Sequence, residues 1–356
     1  MSKVCLHVLQ YQPAGCMNRG ESGEIKTFEL GGVPRIYVSS QCWKKAMRDY
    51  ARDHYPVTKG LRTKSLKKFA DPLREAGYSE TDILNITKTV FEKMLGLGSV
   101  KEEDELKLPT VVAFTDTALN DLSQIVLEDF DMSFVKTQKS KEAGSFKKKC
   151  VEVIKNLSFD VQLFGRMVAG NTDFNVDGAC TVAPAHSVGE AIITTDFFTA
   201  VDEDEDAQGS GMMGYKEMAS GTLYRYGEID TEILAETMPK EDIPSAVQYF
   251  VDSFVKSIPQ GMIKTYGTTT YPFYAYLTVR KDRGVSMSSA FVEPIPSDKQ
   301  SEDYIQKIFE NAVAKKYKTT LTEPEKVFTC GDTEIGENVH LSKLGESVCQ
   351  YLRSNS

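Results

Sequence analysis

Residues 31–52, GGVPRIYVSSQCWKKAMRDYAR, limit the possible folds of this chain more than any other stretch, because they run a short basic strand into a helix with two separate stripes. Trp43, Met47, Tyr50 and His54 recur at helical spacing and predict one packed face. Lys44, Arg48 and Arg52 form a parallel i, i+4, i+8 row, with Gln41 and Lys45 beside its start. One side of such a helix packs while the other can meet anions. Ser39 or Ser40 is the natural N-cap, and the first turn leaves N–H groups able to accept a phosphate. Gly31-Gly32 would let a backbone or a nucleotide approach closely. The competing reading is a solvated amphipathic helix, and the segment alone leaves both open.

Charge distribution bears on that choice. The 356-residue chain has a formal net charge of −9, which argues against a polyanion partner only if the charge is evenly spread. It is not: residues 35–75 hold eleven Lys or Arg against four acids. A local basic surface on an acidic protein is compatible with RNA or DNA. With 41% hydrophobic and 26% charged residues the chain reads as soluble and globular, with one large or two ordinary domains. Seven scattered cysteines without a C-x-x-C pair suggest neither a disulfide framework nor a zinc ribbon, and reduced thiols in a cytoplasm fit best. MSKVCLHVLQ lacks the features of a signal peptide, and no apolar run approaches a membrane span.

Residues 3–12 and 33–39 read as strands, with 15–32 a loop or hairpin and 40–54 a helix. From 59 to 156 the pattern is mostly helical, clearest in SETDILNITKTVFEKML and PTVVAFTDTALNDLSQIVLED, and predicts an inserted helical subdomain. LSFDVQLFGRMV alternates like a strand. Residues 191–222, with an apolar tip at Ile192-Ile193 through Phe197-Phe198, an acid run at 202–206 and a glycine-rich turn, predict a protruding loop or hairpin. SGTLYRYGEID and YPFYAYLTVR read as strands; PKEDIPSAVQYFVDSFVKSI, SEDYIQKIFENAVAKKY and LSKLGESVCQYLR read as helices, the first with Ile243, Val247, Phe250, Phe254 and Ile258 on one side. The interleaving predicts one α+β sheet with insertions.

Four constellations invite chemistry. GSGMMG at 209–214 matches G-x-G-x-x-G, but it follows acids and opens no helix, so a flexible turn is the better reading. The acids at 202–206 read as a solvated face rather than a cation site. His186 with Asp177 and Cys180 could be drawn as a triad, although a packed histidine accounts for it as well. Phe197-Phe198-Thr199 lies on the protruding segment, either packed in a core or stacked on a partner.

GGVPRIYVSSQCWKKAMR with its Ser-Ser-x-x-x-Lys-x-x-x-Arg pattern, Met17-Asn18-Arg19, FGRM at 164–167, VDGA at 176–179, Ala185-His186, DFFTAVD at 196–202 and SGTLYRYGEID at 220–230 follow a familiar order. Together they resemble the CRISPR RNA-binding backbone subunits of type I-E Cascade surveillance complexes, in the repeat-associated RNA-binding superfamily. The resemblance is weakest in the helical insert and the last 60 or so residues. It implies an α+β fold with an RRM-like palm (1–58, 158–190, 223–356), inserted helical fingers (59–157) and a hairpin thumb (191–222). It implies RNA contacts at Arg19, Ser39, Gln41, Lys44, Lys45 and Arg48, and at Met167, Phe198 and Thr199, where a nucleotide is kinked out. The implied partners are CRISPR RNA, target DNA through that guide, further copies in a filament and other Cascade subunits, in the cytoplasm. The expectation includes no membrane, no cofactor, no metal and no catalytic residue. One departure matters: relatives that cut RNA carry an aspartate in the loop after the first strand, whereas residues 15–24 here hold only Glu21 and Glu24 as acids. The alternative is metal-dependent cleavage of target RNA through one of them.

Overall fold

Residues 4–9 are apolar on both alternating faces, apart from His7, so a strand built from them has to be covered on both sides. In the computed structural model, which describes residues 2–103, 105–201 and 210–355, that strand is the middle of a large mixed sheet. In chain order the strands are β1 (Lys3–Gly15), β2 (Thr27–Leu30), β3 (Val33–Val38), β4 (Gly60–Ser65), β5 (Lys101–Glu102), β6 (Leu106–Thr115), β7 (Cys180–Val182), β8 (Ala185–Ser187), β9 (Ile192–Val201), β10 (Ser210–Asp230), β11 (Tyr274–Arg280), β12 (Lys326–Cys330) and β13 (Glu337–Asn338). The large sheet runs β13-β12-β11-β1-β10-β8-β3-β2, with β7 and β9 also paired to β10. The expected α+β class is therefore observed.

This sheet belongs to the first of two compact units, Met1–Tyr55 with Cys180–Ala235 and Pro239–Ser356. Cys5, His7 and Leu9 share a face with Tyr224, Tyr226, Tyr274 and Tyr276, covered by Ile305, Phe309 and Val313 of the helix Glu302–Thr319. The opposite face, with Leu6 beside Gly227 and Leu277, is covered by the helix Ile243–Lys256. The helix comes close to the sheet at Gly227, since a Cβ there would lie 2.7 Å from Phe254 Cε2. Ile243, Val247, Phe250, Phe254 and Ile258 are all buried, as their spacing predicts.

The segment 15–32 resolves as a hairpin arm. Leu30 pairs with Val33, so Gly31 (φ 65°) and Gly32 (φ 80°) are the two central residues of a tight turn that needs positive φ twice. A Cβ on Gly31 would lie 1.8 Å from the Val292 carbonyl oxygen, so the close approach predicted there is made by the protein's own backbone.

The second unit, Pro56–Ala179 with Glu236–Met238, has its own core, in which Phe69, Phe91, Leu108, Phe114, Leu122, Phe146 and Ile154 pack together. Residues 158–179 fall in this unit. It is less helical than the pattern suggested: β4, β6 and β5 form a three-stranded antiparallel sheet. PTVVAFTDTALNDLSQIVLED is not one helix, because Thr110, Val111 and Val112 are β-branched and continue β6, and the helix begins only at Ala118. LSFDVQLFGRMV, conversely, is not a strand. Residues Phe159–Phe164 form a short helix that ends at Gly165 (φ 74°), and over six residues an apolar alternation does not separate the two periods.

His7 is enclosed by rings, 5.1 Å from Tyr226 and 5.5 Å from Phe309 between centroids, and its Nδ1 is 2.9 Å from the Tyr224 hydroxyl. Burial pushes its pKa down from 6.5 to about 3, so the native state keeps it neutral while the unfolded chain takes up a proton below about pH 6.5. The unfolded state then binds more protons, and His7 withdraws stability as pH falls toward 3, by up to about 1.4 kcal/mol per pH unit. In denaturant titrations at a series of pH values, His7→Phe is expected to flatten this acid-side slope relative to wild type; an unchanged slope contradicts the assignment.

Candidate nucleic-acid interface

The helix α1 (Ser40–His54) is built as its sequence predicts, with Ser39 as N-cap and the Ser39 hydroxyl accepting the Cys42 N–H at 3.3 Å. Asn18 Oδ1 accepts the Ser39 N–H at 2.9 Å, and the Cys42 thiol points at the Met17 carbonyl at 3.7 Å. The Met17-Asn18-Arg19 loop is thereby fastened to the first turn of the helix. On the inner side Trp43, Ala46, Met47 and Ala51 are buried. The Trp43 ring lies 3.6 Å from the Arg225 guanidinium carbon, with the Phe254 ring 4.6 Å away. Arg225 donates to Gln10 Oε1 at 2.6 Å and to the Phe254 carbonyl. Burial pushes the pKa of Arg225 down to about 9, which leaves it charged at neutral pH. The apolar stripe stops short of its fourth member: His54 is exposed and stacks on Tyr50 at 4.0 Å.

Along the outer side Gln41 and Lys45 are exposed, and Lys44 and Arg48 are half-buried and engaged in contacts. Lys45 pairs with Asp49 at 2.6 Å, and Arg52 lies 3.3 Å from Asp49 and 3.4 Å from Asp53. Surface pairs of this kind contribute roughly 0 to 1 kcal/mol and can be exchanged for a phosphate. Ser39 differs from its neighbours, being buried and committed to the cap. Lys26 was not singled out by the pattern, since it lies outside the helix; its charge and that of Lys45 offset part of the upward push that burial gives the Cys42 thiol. Asn18, Gln41, Lys45 and Gln260 line one shallow groove at this end of the helix.

The hairpin of β9 and β10 stands beside the loop. Ile25 N–H donates to Glu217 at 2.9 Å, tying the two together, and Arg19, Glu24, Thr195, Phe198, Lys216 and Met262 line a second depression. Cross-strand pairing sets Phe198 opposite Gly214, Phe197 opposite Tyr215 and Thr199 opposite Met213. The Phe198 ring lies over Gly214, where a Cβ would come within 2.6 Å of it, and Lys216 Nζ sits 4.4 Å from its centroid. Thr199 is exposed. The acid run 202–206 and Gly209 lie outside the described residues. From Ser210 onward the GSGMMG segment is strand, opening no helix, so neither a dinucleotide turn nor a free loop describes it.

Met167 belongs to the second unit and is 80% exposed. Its neighbour Arg166 is buried and donates to the carbonyls of Phe174 at 2.9 Å and Ala113 at 3.2 Å, so a rigid support holds an apolar side chain in solvent. His186 is buried against Phe28 and Tyr224, and burial drives the Cys180 thiol well above its ordinary value, which suits packing and not nucleophilic chemistry. Among the described residues no group of three or more His, Cys, Asp or Glu is placed to hold a metal ion, and no helix is long and apolar enough to cross a membrane.

The family model of CT1975-like proteins matches residues 4–348, nearly the whole chain. The chain belongs to the CT1975-like family. No curated protein sequence matches it. Among solved structures, it is similar to a chain of a "CRISPR RNA-guided surveillance complex, pre-nicking", with TM-score 0.85 and 25% identity over 99% of this chain and 100% of that one. A chain of a "CRISPR RNA-guided surveillance complex" shares the fold with TM-score 0.77 and 23% identity, over 98% of this chain and 99% of that one. The motif resemblance to backbone subunits of such complexes thus agrees with the family and the fold. Within this CT1975-like chain the loop-to-helix tie is the local prediction. Asn18→Ala leaves the Ser39 N–H without its acceptor and is expected to cost about 1 to 2 kcal/mol, read as a lowered melting temperature with unchanged secondary structure. An unaltered melting temperature would show that the tie contributes nothing.

Proposed function

We propose that this chain is a noncatalytic CRISPR RNA-binding backbone subunit of a DNA-targeting surveillance complex. The observation that carries this reading is the end-to-end likeness to a surveillance-complex chain, TM-score 0.85 over 99% of the residues. The basic helix of the first unit supports it, and the Arg19 loop and the hairpin are physically fastened beside that helix. In this reading the large sheet and its helices act as an RRM-like palm, the helical insert as fingers and residues 191–222 as a thumb. Copies stack along one guide, with other subunits, in the cytoplasm, and present its bases to target DNA.

Arg19, Gln41, Lys44, Lys45 and Arg48 then hold guide phosphates, which suits a protein that accepts any spacer, since guanidinium and ammonium groups bind phosphate without reading sequence. Ser39 contributes by capping the helix that carries them. Met167, Phe198 and Thr199 mark where the strand is kinked, by apolar contacts that are equally indifferent to base identity. Each phosphate contact to single-stranded nucleic acid adds about 0.7 to the slope of log affinity against log salt. The double variant Lys44→Ala with Arg48→Ala is therefore expected to bind RNA more weakly, with the slope reduced by about 1.4. An unchanged titration removes the row from the interface.

In this reading the subunit cuts no nucleic acid. The Glu24 carboxylate accepts the Ser22 hydroxyl, which holds its pKa below the ordinary range. Assembled complex incubated with guide-matched RNA and Mg²⁺ is expected to leave that RNA intact, whereas regularly spaced cuts would assign metal-dependent cleavage to Glu21 or Glu24.

A further inference from the structure

The helix Ile243–Lys256 is joined to β11 by a long connection that holds the short helix Ile263–Tyr266, entered through Met262. Met262 has φ 53° and ψ 22°, and among the described residues it is the one non-glycine residue with positive φ. In that region a Cβ crowds the following carbonyl, so glycine or asparagine is the ordinary choice. Its neighbour Gly261 is constrained by space instead. A Cβ there would lie 2.5 Å from the Met17 carbonyl oxygen and 2.7 Å from that of Cys16, so the turn is pressed against the backbone that leads to Arg19. Backbone strain persists where the surroundings over-determine it, and it collects at ligand clamps. At position 262 the chain keeps a side chain where a bare glycine would sit more easily.

That side chain lines the depression that also holds Arg19. Pro259, Gln260 and Gly261 line the groove that holds Gln41 and Lys45. The turn thus borders both hollows, and a strand held by Lys45 and by Arg19 runs past it. Charge alone does not make the contact, because acids line both: Asp49, paired with Lys45 and Arg52, in the groove, and Glu24 and Glu217 in the depression. A neutral amide and an apolar thioether chain suit the stretch between the cations.

We propose that the turn Gln260–Met262 is a further contact for the guide backbone, with the Gln260 amide donating to a sugar–phosphate oxygen and the Met262 side chain packing against the adjoining sugar. This rests on the RNA-binding reading above and adds two residues to it. Gln260 is exposed; its Nε2 donates to the Ile258 carbonyl at 3.1 Å and carries a second N–H for the strand. The strain at Met262 then comes from placing a side chain beside the RNA and not from shaping the turn.

Met262→Gly separates these two roles, because it removes the side chain and relieves the backbone together. Its melting temperature is expected to equal or exceed that of wild type, since relief of the left-handed conformation opposes the extra freedom that glycine gives the unfolded chain. Its affinity for a labelled single-stranded RNA, from anisotropy titrations of the full chain, is expected to fall about threefold or more. Met262→Leu keeps an apolar chain on the same backbone and should bind within about twofold of wild type. Gln260→Ala is expected to weaken binding about threefold with an unchanged salt slope, because an amide displaces no counterion. Unchanged affinity in both Met262→Gly and Gln260→Ala, in an assay where Lys44→Ala with Arg48→Ala loses affinity, overturns the turn as a contact and leaves the RNA-binding reading standing. Affinity and melting temperature that fall together in Met262→Gly assign Met262 to packing and overturn its role likewise. Wild-type chain that binds no RNA overturns both.

Discussion

The arrangement of the first unit turns on one buried cation. Arg225, in the middle of β10, projects its guanidinium from the sheet between the rings of Trp43 and Phe254, at 3.6 Å and 4.6 Å. Burying a charge is costly unless polar and aromatic partners surround it, and here Gln10, the Phe254 carbonyl and two ring faces offset part of that cost while the buried Nε has no hydrogen-bond partner. A flat guanidinium suits a sandwich between rings in a way that a lysine ammonium does not. The consequence is positional. Trp43 lies on the inner side of α1, so the stack fixes the rotation of the helix on the sheet, and the row that begins at Lys44 is turned outward by default. The basic face is set by packing rather than by its own charges.

That helix serves as the anchor for two further segments. The Asn18 contact attaches the Arg19 loop to the capped end of α1, and the Glu217 contact attaches the same loop to the hairpin. Each tie includes a hydrogen bond that satisfies a backbone N–H, that of Ser39 in one and that of Ile25 in the other. Lys45 and Arg52 sit in exposed surface pairs, which cost little to rearrange around a phosphate. Met167 follows the same logic in the second unit, where the buried Arg166 stiffens the backbone beside it.

Much of this was legible in the sequence where a cap, a long periodic run or a tight turn left little freedom. The helix α1 spans Ser40–His54 against an expected 40–54, because Ser39 and the Trp43 stripe both mark it. The buried face of Ile243–Lys256 was equally clear. Errors fell on short or mixed segments: β-branched residues hidden in an apparently helical run at 110–112, and the helix at 159–164 whose alternation imitates a strand. Among the site residues, composition cannot tell that the Ser39 hydroxyl is spent on a cap, that Asn18 is the tie, or that Phe197 and Phe198 point to opposite faces with Tyr215 across from one of them. Those facts come from chain segments meeting in three dimensions.

If, as proposed, this chain coats a guide RNA in several copies without reading its sequence, it carries that RNA through purification. Native mass spectrometry of the full chain, co-purified with whatever nucleic acid it carries, measures cargo and stoichiometry together. The expected result is several copies on one RNA, with the bound RNA heterogeneous in sequence apart from a common repeat-derived part. A monomer or oligomer free of nucleic acid, purified from cells that express a guide, would contradict the account.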